Sequence, residues 1–132
     1  MKVILDIGSN NGFNSLAFAL LNPNIKVFSF EPNPYLKKTL LKNKKLIERN
    51  FKINLTNFCF VPKAVSNISG KNIFYITKND ATSSLLKPKK QLNRYWIKNR
   101  DISIRSISDW IKVKKKIKVE TITLKEFCDK KK

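Results

Sequence analysis

Val3-Ile4-Leu5-Asp6-Ile7-Gly8-Ser9-Asn10-Asn11-Gly12 decides the fold of this chain, and Glu31 completes the reading. Val3-Ile4-Leu5 is a short, unbroken apolar run, the pattern of a parallel strand covered on both faces. It ends in Asp-x-Gly-x-x-x-Gly, a polar and glycine-bearing loop. Beyond Gly12, Phe13, Leu16, Ala17, Leu20 and Leu21 recur at helical spacing, with Asn10 or Asn11 able to cap the start and Asn22-Pro23 stopping the run. Ile25-Lys26-Val27-Phe28-Ser29-Phe30 is a second strand that stops at Glu31. Strand, helix and strand in so short a length make a βαβ unit.

Outward from this unit the pattern continues. Asn33 and Pro34 suit the cap and first turn of a second helix, whose stripe of Leu36, Leu40 and Leu41 faces inward while Lys37, Lys38, Lys42, Lys44 and Lys45 face water. Helical character extends by this reading through Ile47, Phe51 and Leu55. Asn57 to Pro62 is a third strand and Asn72 to Thr77 a further one after the Ser69-Gly70 turn. Asp80 to Ser84 is a polar loop. Arg94-Tyr95-Trp96 and Asp109-Trp110-Ile111 could anchor short helical pieces. Val119 to Leu124 alternates like a half-buried strand, and Lys125 to Cys128 opens a short helical turn.

The loop carries the chemistry. Glycines let backbone approach a ligand where a side chain would collide. The strand-to-helix junction is expected to point free amides of the helix start into the crevice at the strand's end. A dinucleotide loop reads Gly-x-Gly-x-x-Gly, fitted to a pyrophosphate. Asp6 occupies the place of the first of those glycines, and a carboxylate suits a cofactor with an ammonium group far better than a diphosphate. The loop therefore favours S-adenosylmethionine over NAD. Glu31 stands 19 residues after Gly12, and an acidic residue about 20 residues beyond such a loop is placed to hold both ribose hydroxyls. Its bland alternative is an ordinary exposed Glu before a turn. No catalytic base is identifiable from spacing.

Composition bounds the rest. The chain has 132 residues, room for one small domain, and 42% apolar residues, enough for a core. Lys and Arg number 28 against 9 Asp and Glu, a net charge of +19. That points either to an anionic partner, nucleic acid among them, or to the coding bias of an AT-rich gene. The lysines are scattered, which favours the second. Cys59 and Cys128 stand far apart with no His in the chain, so neither a zinc site nor a disulfide framework is readable. No metal is expected. Reduced cytoplasm is the default compartment, and no signal peptide or membrane span is visible.

Val3 to Phe13, followed by Phe28-Ser29-Phe30-Glu31-Pro32-Asn33-Pro34, resembles the FkbM family of S-adenosylmethionine-dependent methyltransferases. Asn50 through Asn54, Pro62-Lys63-Ala64-Val65-Ser66, Gly70, Thr82-Ser83-Ser84-Leu85 and Val119 to Phe127 extend the resemblance over most of the chain. It implies an α/β, Rossmann-like class I methyltransferase fold with three αβα layers, in one domain with residues 87–118 as a basic insertion. The implied activity is methylation of a hydroxyl on a sugar, glycan or natural product. By position, Asp6, Gly8, Asn10 and Gly12 would line the methionine part of the cofactor. Glu31 would hold the ribose, and Pro32, Lys63 and Ala64 the adenine. Ser83 and Ser84 would face the reaction cleft, or equally would cap their own hairpin loop.

The family pattern continues past the Thr-Leu-x-x-Phe segment into a further strand, whereas this chain stops at Lys130-Lys131-Lys132. The expectation is a truncated member, incomplete at the C-terminus, with Val3-Ile4-Leu5 left as an exposed apolar edge. Two other classes compete. Basic residues mixed with Tyr95, Trp96 and Trp110 between Lys87 and Lys118 would fit a nucleic-acid-binding module without catalysis. A NAD-binding Rossmann protein is the third, disfavoured by Asp6.

Overall fold

The computed structural model describes residues 2–88 and 109–131. These fall into two compact units, Met1–Lys71 with Val119–Lys132, and Asn72–Lys118.

In the first unit the expected βαβ core is present. Strand β1 (Val3–Ile7) leads through the glycine loop into helix α1 (Phe13–Leu21), and strand β2 (Lys26–Phe30) follows. Helix α2 (Pro34–Phe51) then leads to strand β3 (Phe58–Val61). The sheet order is β1-β2-β3. Its pairs are parallel, with Ile7 opposite Phe30 and Phe30 opposite Val61. The three strands thus end in one row, and the segments leaving them start from one edge. Within the described residues β1 is the outer strand; Val3 is exposed, while Ile4 and Leu5, expected to be exposed with it, are half-buried.

Local chemistry sets the element ends. Gly12 precedes α1 at φ 79, and the Asn11 side chain accepts the Phe13 amide at 3.2 Å. Asn33 caps α2 by accepting the Tyr35 amide at 3.1 Å, with Pro34 in the first turn. This helix ends at Phe51, short of Leu55, because Lys52 turns into the left-handed region at φ 53 and Ile53 donates to the Glu48 carbonyl. Leu55 is buried in the turn that follows.

Alternation along β2 divides the core. Val27 meets Leu16 and Ala19 of α1, Leu40 of α2, and Leu55 and Phe58. Phe28 and Phe30, which point the other way, meet Phe127 and Ile122. Phe127 stands edge-on to both rings, with centroids 5.0 and 4.8 Å apart. Such pairs add about 0.5–1.5 kcal/mol beyond area burial. Phe127 belongs to helix α3 (Leu124–Asp129), whose cap is Thr123 accepting the Glu126 amide at 3.1 Å.

A second sheet has the order β4-β6-β5, from β4 (Ala64–Val65), β5 (Gly70–Thr77) and β6 (Val113–Ile122). Ala64 and Val65 pair in parallel with Thr121 and Ile122. Strand β6 begins six residues before the expected Val119, so Val113 to Lys118 of the basic stretch are strand. Their alternation was masked by Lys114, Lys115 and Lys116, whose long stems allow charged heads to reach water from either face.

In the second unit the Thr77 hydroxyl organises the loop after β5. It lies 2.7 Å from the Asn79 carbonyl and 2.7 Å from the Thr82 hydroxyl, and Thr77 is fully buried. Asn79 and Lys78 amides donate to the Trp110 and Lys112 carbonyls, and Lys78 pairs with Asp109. Arg94-Tyr95-Trp96 and most of the expected basic insertion, residues 89–108, lie outside the described residues.

Candidate functional site

The row formed by Ile7, Phe30 and Val61 sets the site. Gly8 follows the first, Glu31 the second and Pro62-Lys63 the third, so three of the expected binding segments leave one sheet edge together. Gly8 and Ser9 amides both donate to the Phe30 carbonyl at 3.0 Å, and the Glu31 amide donates to Val61 at 3.1 Å. The loop is therefore tied back onto β2.

Glu31 is the centre of this tie. Its Oε2 accepts the Asn10 amide and its Oε1 the Asn33 amide, both at 2.8 Å. Glu31 is 5% exposed, so the bland expectation of an ordinary exposed Glu is wrong. One carboxylate joins the glycine loop to the start of α2. Asn10 itself sits at φ 53, a left-handed conformation that Asn tolerates better than most residues.

The two loop glycines have different reasons. Gly8 has φ 78, and a Cβ built on it would meet nothing within 4 Å. It leaves open space above the loop. Gly12 has φ 79, and its Cβ would lie 2.7 Å from Leu40 Cγ. Gly12 is thus needed where α2 packs on the loop.

The free amides expected at the junction are found in part: five amides from Gly8 to Phe13 are committed, whereas those of Asn11, Asn14 and Ser15 have no acceptor among the described residues. Gly8 and Ser9 donate to Phe30, Asn10 to Glu31, Gly12 to the Ser9 carbonyl and Phe13 to Asn11.

Asp6 is half-buried, and its Oδ2 lies 2.5 Å from the Ser15 hydroxyl. Ser15 in turn lies 2.8 Å from Ser29, and Ser29 lies 2.7 Å from Ser9. Sequence reasoning missed these three serines. The signal was present: Ser29 interrupts an apolar strand, and Ser15 sits beside Leu16 on the buried side of α1. Asn57 was also missed. Its side-chain amide donates to the carbonyls of Ala19, Asn22 and Ile25, each at 3.0 Å, and clamps the end of α1 to the start of β2.

Of the remaining expected residues, Pro32 is half-buried and Ala64 is buried at the start of β4. Lys63 is half-buried and pairs with Glu120 at 2.8 Å, and this ammonium holds the Glu120 carboxyl below its usual range. Asn33 keeps one unsatisfied group, a buried Nδ2 with no partner among the described residues. Ser83 and Ser84 belong to the second unit. There the Ser83 hydroxyl accepts the Thr77 amide at 3.1 Å and the Ser84 hydroxyl accepts the Leu86 amide at 3.1 Å. Both hydroxyls serve their own loop.

No helix among the described residues is long and apolar enough to cross a membrane. No solved structure matches the chain. It is similar to the 2-O-methyltransferase NoeI of Sinorhizobium fredii (strain NBRC 101917 / NGR234), with 26% identity over 133 residues, covering 96% of this chain and 46% of that protein. The chain thus spans about half the length of the curated relative it matches. A family model, the methyltransferase FkbM domain, matches residues 6–132, from the aspartate of the glycine loop onward. The chain belongs to the FkbM methyltransferase domain family.

Proposed function

We propose that this chain binds S-adenosylmethionine at the Asp6–Gly12 loop and contributes to methylation of a hydroxyl group on a sugar, glycan or natural product. Within this reading the first unit is a Rossmann-like, three-layer αβα methyltransferase core, with α1 and α2 against one side of β2 and α3 against the other. The observation that carries it is the pairing of Asp6 and Glu31, two carboxylates on neighbouring strand ends, with the open space above Gly8. The fit is chemical. The donor presents an ammonium and a ribose diol, both recognised by carboxylates, and no diphosphate that would need free amides.

Asp6, Gly8, Asn10 and Gly12 surround the methionine part, with Gly12 acting through its packing on Leu40. Glu31 reaches the ribose, and Pro32, Lys63 and Ala64 flank the adenine. Ser83 and Ser84 remain the candidates on the acceptor side. The bound donor supplies an electrophilic methyl group on a sulfonium, so the protein's task is to hold donor and acceptor in line. An oxygen acceptor agrees with the printed name of the relative, a 2-O-methyltransferase. Cytoplasmic location belongs to the same proposal.

Calorimetric titration of the chain with S-adenosylhomocysteine tests the reading. Saturable one-to-one binding, not displaced by NADH, is expected. Absence of binding together with steeply salt-dependent RNA binding would replace it with the nucleic-acid reading.

A further inference from the structure

Four oxygen contacts run in line beneath the glycine loop. Asp6 Oδ2 meets Ser15 Oγ at 2.5 Å, Ser15 meets Ser29 at 2.8 Å, and Ser29 meets Ser9 at 2.7 Å. Ser9 Oγ then meets the Phe30 carbonyl at 3.3 Å. All three serines are buried, Ser15 and Ser29 completely.

Each hydroxyl brings one proton, while an ionised carboxylate and a carbonyl bring none. Four contacts between two accepting ends therefore share three protons, and one contact goes without. Geometry singles out that one. Ser15 is the donor in two of the four contacts, at 2.5 Å to Asp6 and at 2.8 Å to Ser29, and the longer of these is the one that goes without. A hydroxyl proton turns to its best acceptor. The Ser15 proton therefore goes to Asp6, while Ser29 donates to Ser9 and Ser9 to the Phe30 carbonyl.

The identity of the partners matters as much as the order. The chain holds 28 Lys and Arg, yet among the described residues lysines pair with acids such as Glu48, Glu120, Asp109 and Glu126 and not with Asp6. Hydroxyls orient a carboxylate without neutralising it, whereas a lysine would cancel the charge.

We propose that Ser15 is the positioning residue of Asp6: it holds Oδ2, fixes the carboxylate plane and keeps the negative charge available at Oδ1 for the ammonium group of the methyl donor. This rests on the cofactor reading above and adds to it the device that orients the carboxylate.

The test compares two ligands on the full 132-residue chain. S-adenosylhomocysteine carries the amino-acid part, and 5′-methylthioadenosine lacks it while sharing the adenosine. Ser15→Ala is expected to weaken S-adenosylhomocysteine about tenfold and to leave methylthioadenosine within about twofold. Ser29→Ala, whose proton points to Ser9 and not to the carboxylate, is expected to leave both ligands within about twofold. In an Asp6→Asn background Ser15→Ala is expected to add less than about twofold, because its effect runs through that carboxylate.

Equal weakening of both ligands by Ser15→Ala would mark a merely structural role and overturn the inference, as would unchanged affinity or full additivity with Asp6→Asn. The wild-type titration separates the two layers of the argument. If the wild type binds neither ligand, the cofactor reading itself falls. If it binds both and Ser15→Ala matches it, only the positioning role falls.

Discussion

Gly12 stands against Leu40 so closely that a Cβ on the glycine would lie 2.7 Å from Leu40 Cγ. The loop meets α2 at this point, and Gly12 also holds φ 79, where side chains are strained. Gly12→Ala is expected to cost about 2–3 kcal/mol, combining backbone strain with overpacking. Leu40→Ala alone removes a fully buried side chain and is expected to cost about 2–5 kcal/mol. The double variant should cost less than the sum, because the cavity accepts the new methyl. Urea unfolding of the four proteins measures this, and strict additivity would contradict the close approach.

Glu31 performs a structural task in addition to any contact with a ligand. Glu31→Ala strips the acceptor from the Asn10 and Asn33 amides, and each buried amide left unpaired costs about 1–3 kcal/mol. Glu31→Gln keeps one oxygen and should lose roughly half as much by the same arithmetic. Thermal unfolding without ligand gives the answer. A Glu31→Ala protein as stable as the wild type would show that the carboxylate does not tie the loop to α2.

Asn57 holds three carbonyls through one amide nitrogen. Asn57→Ala should destabilise the first unit by about 2–3 kcal/mol. Asn57→Asp should be worse at neutral pH despite its matching shape, since a carboxylate cannot donate to Ala19, Asn22 and Ile25. Equal midpoints for the Asp variant and the wild type in denaturant would sink this assignment.

Glu48 should make stability fall in acid. Lys44 holds its carboxyl below the ordinary 4.5, opposed by burial and helped by the Leu55 amide. The folded-state value is thus below the unfolded one. Its contribution is fully present above the unfolded value and is lost as pH falls through the folded one. Glu48→Gln should flatten the stability profile between about pH 5 and the acid limit, a window set by the unfolded carboxylate. An unchanged profile in that variant would remove Glu48 from the account.

Much of the first unit was legible from residue order. The runs at Val3, Val27 and Phe58 read as strands, and Asn33-Pro34 read as a helix start, because period and capping act over a few residues. The β6 start at Val113 was not legible, because consecutive lysines hide a two-residue alternation. The placement of Asp6, Gly8 and Glu31 at one strand edge followed from the βαβ pattern. Their partners did not. Asn10 and Glu31 are 21 residues apart, and nothing local announces that a backbone amide will use the carboxylate expected to meet a ribose.

Residue order alone thus determined the strand–loop–helix–strand unit, its two carboxylates and the family to which they point, since each depends on nearest neighbours and short periods. Only the tertiary structure decided which polar groups are committed and which are kept open. It spent most of the loop amides on Phe30, Glu31, Ser9 and Asn11, set Gly12 against Leu40, and linked Ser9, Ser29 and Ser15 beneath Asp6. The reason is physical: a buried donor must find an acceptor, and the acceptor it finds is set by how strands and helices pack, not by its place in the chain.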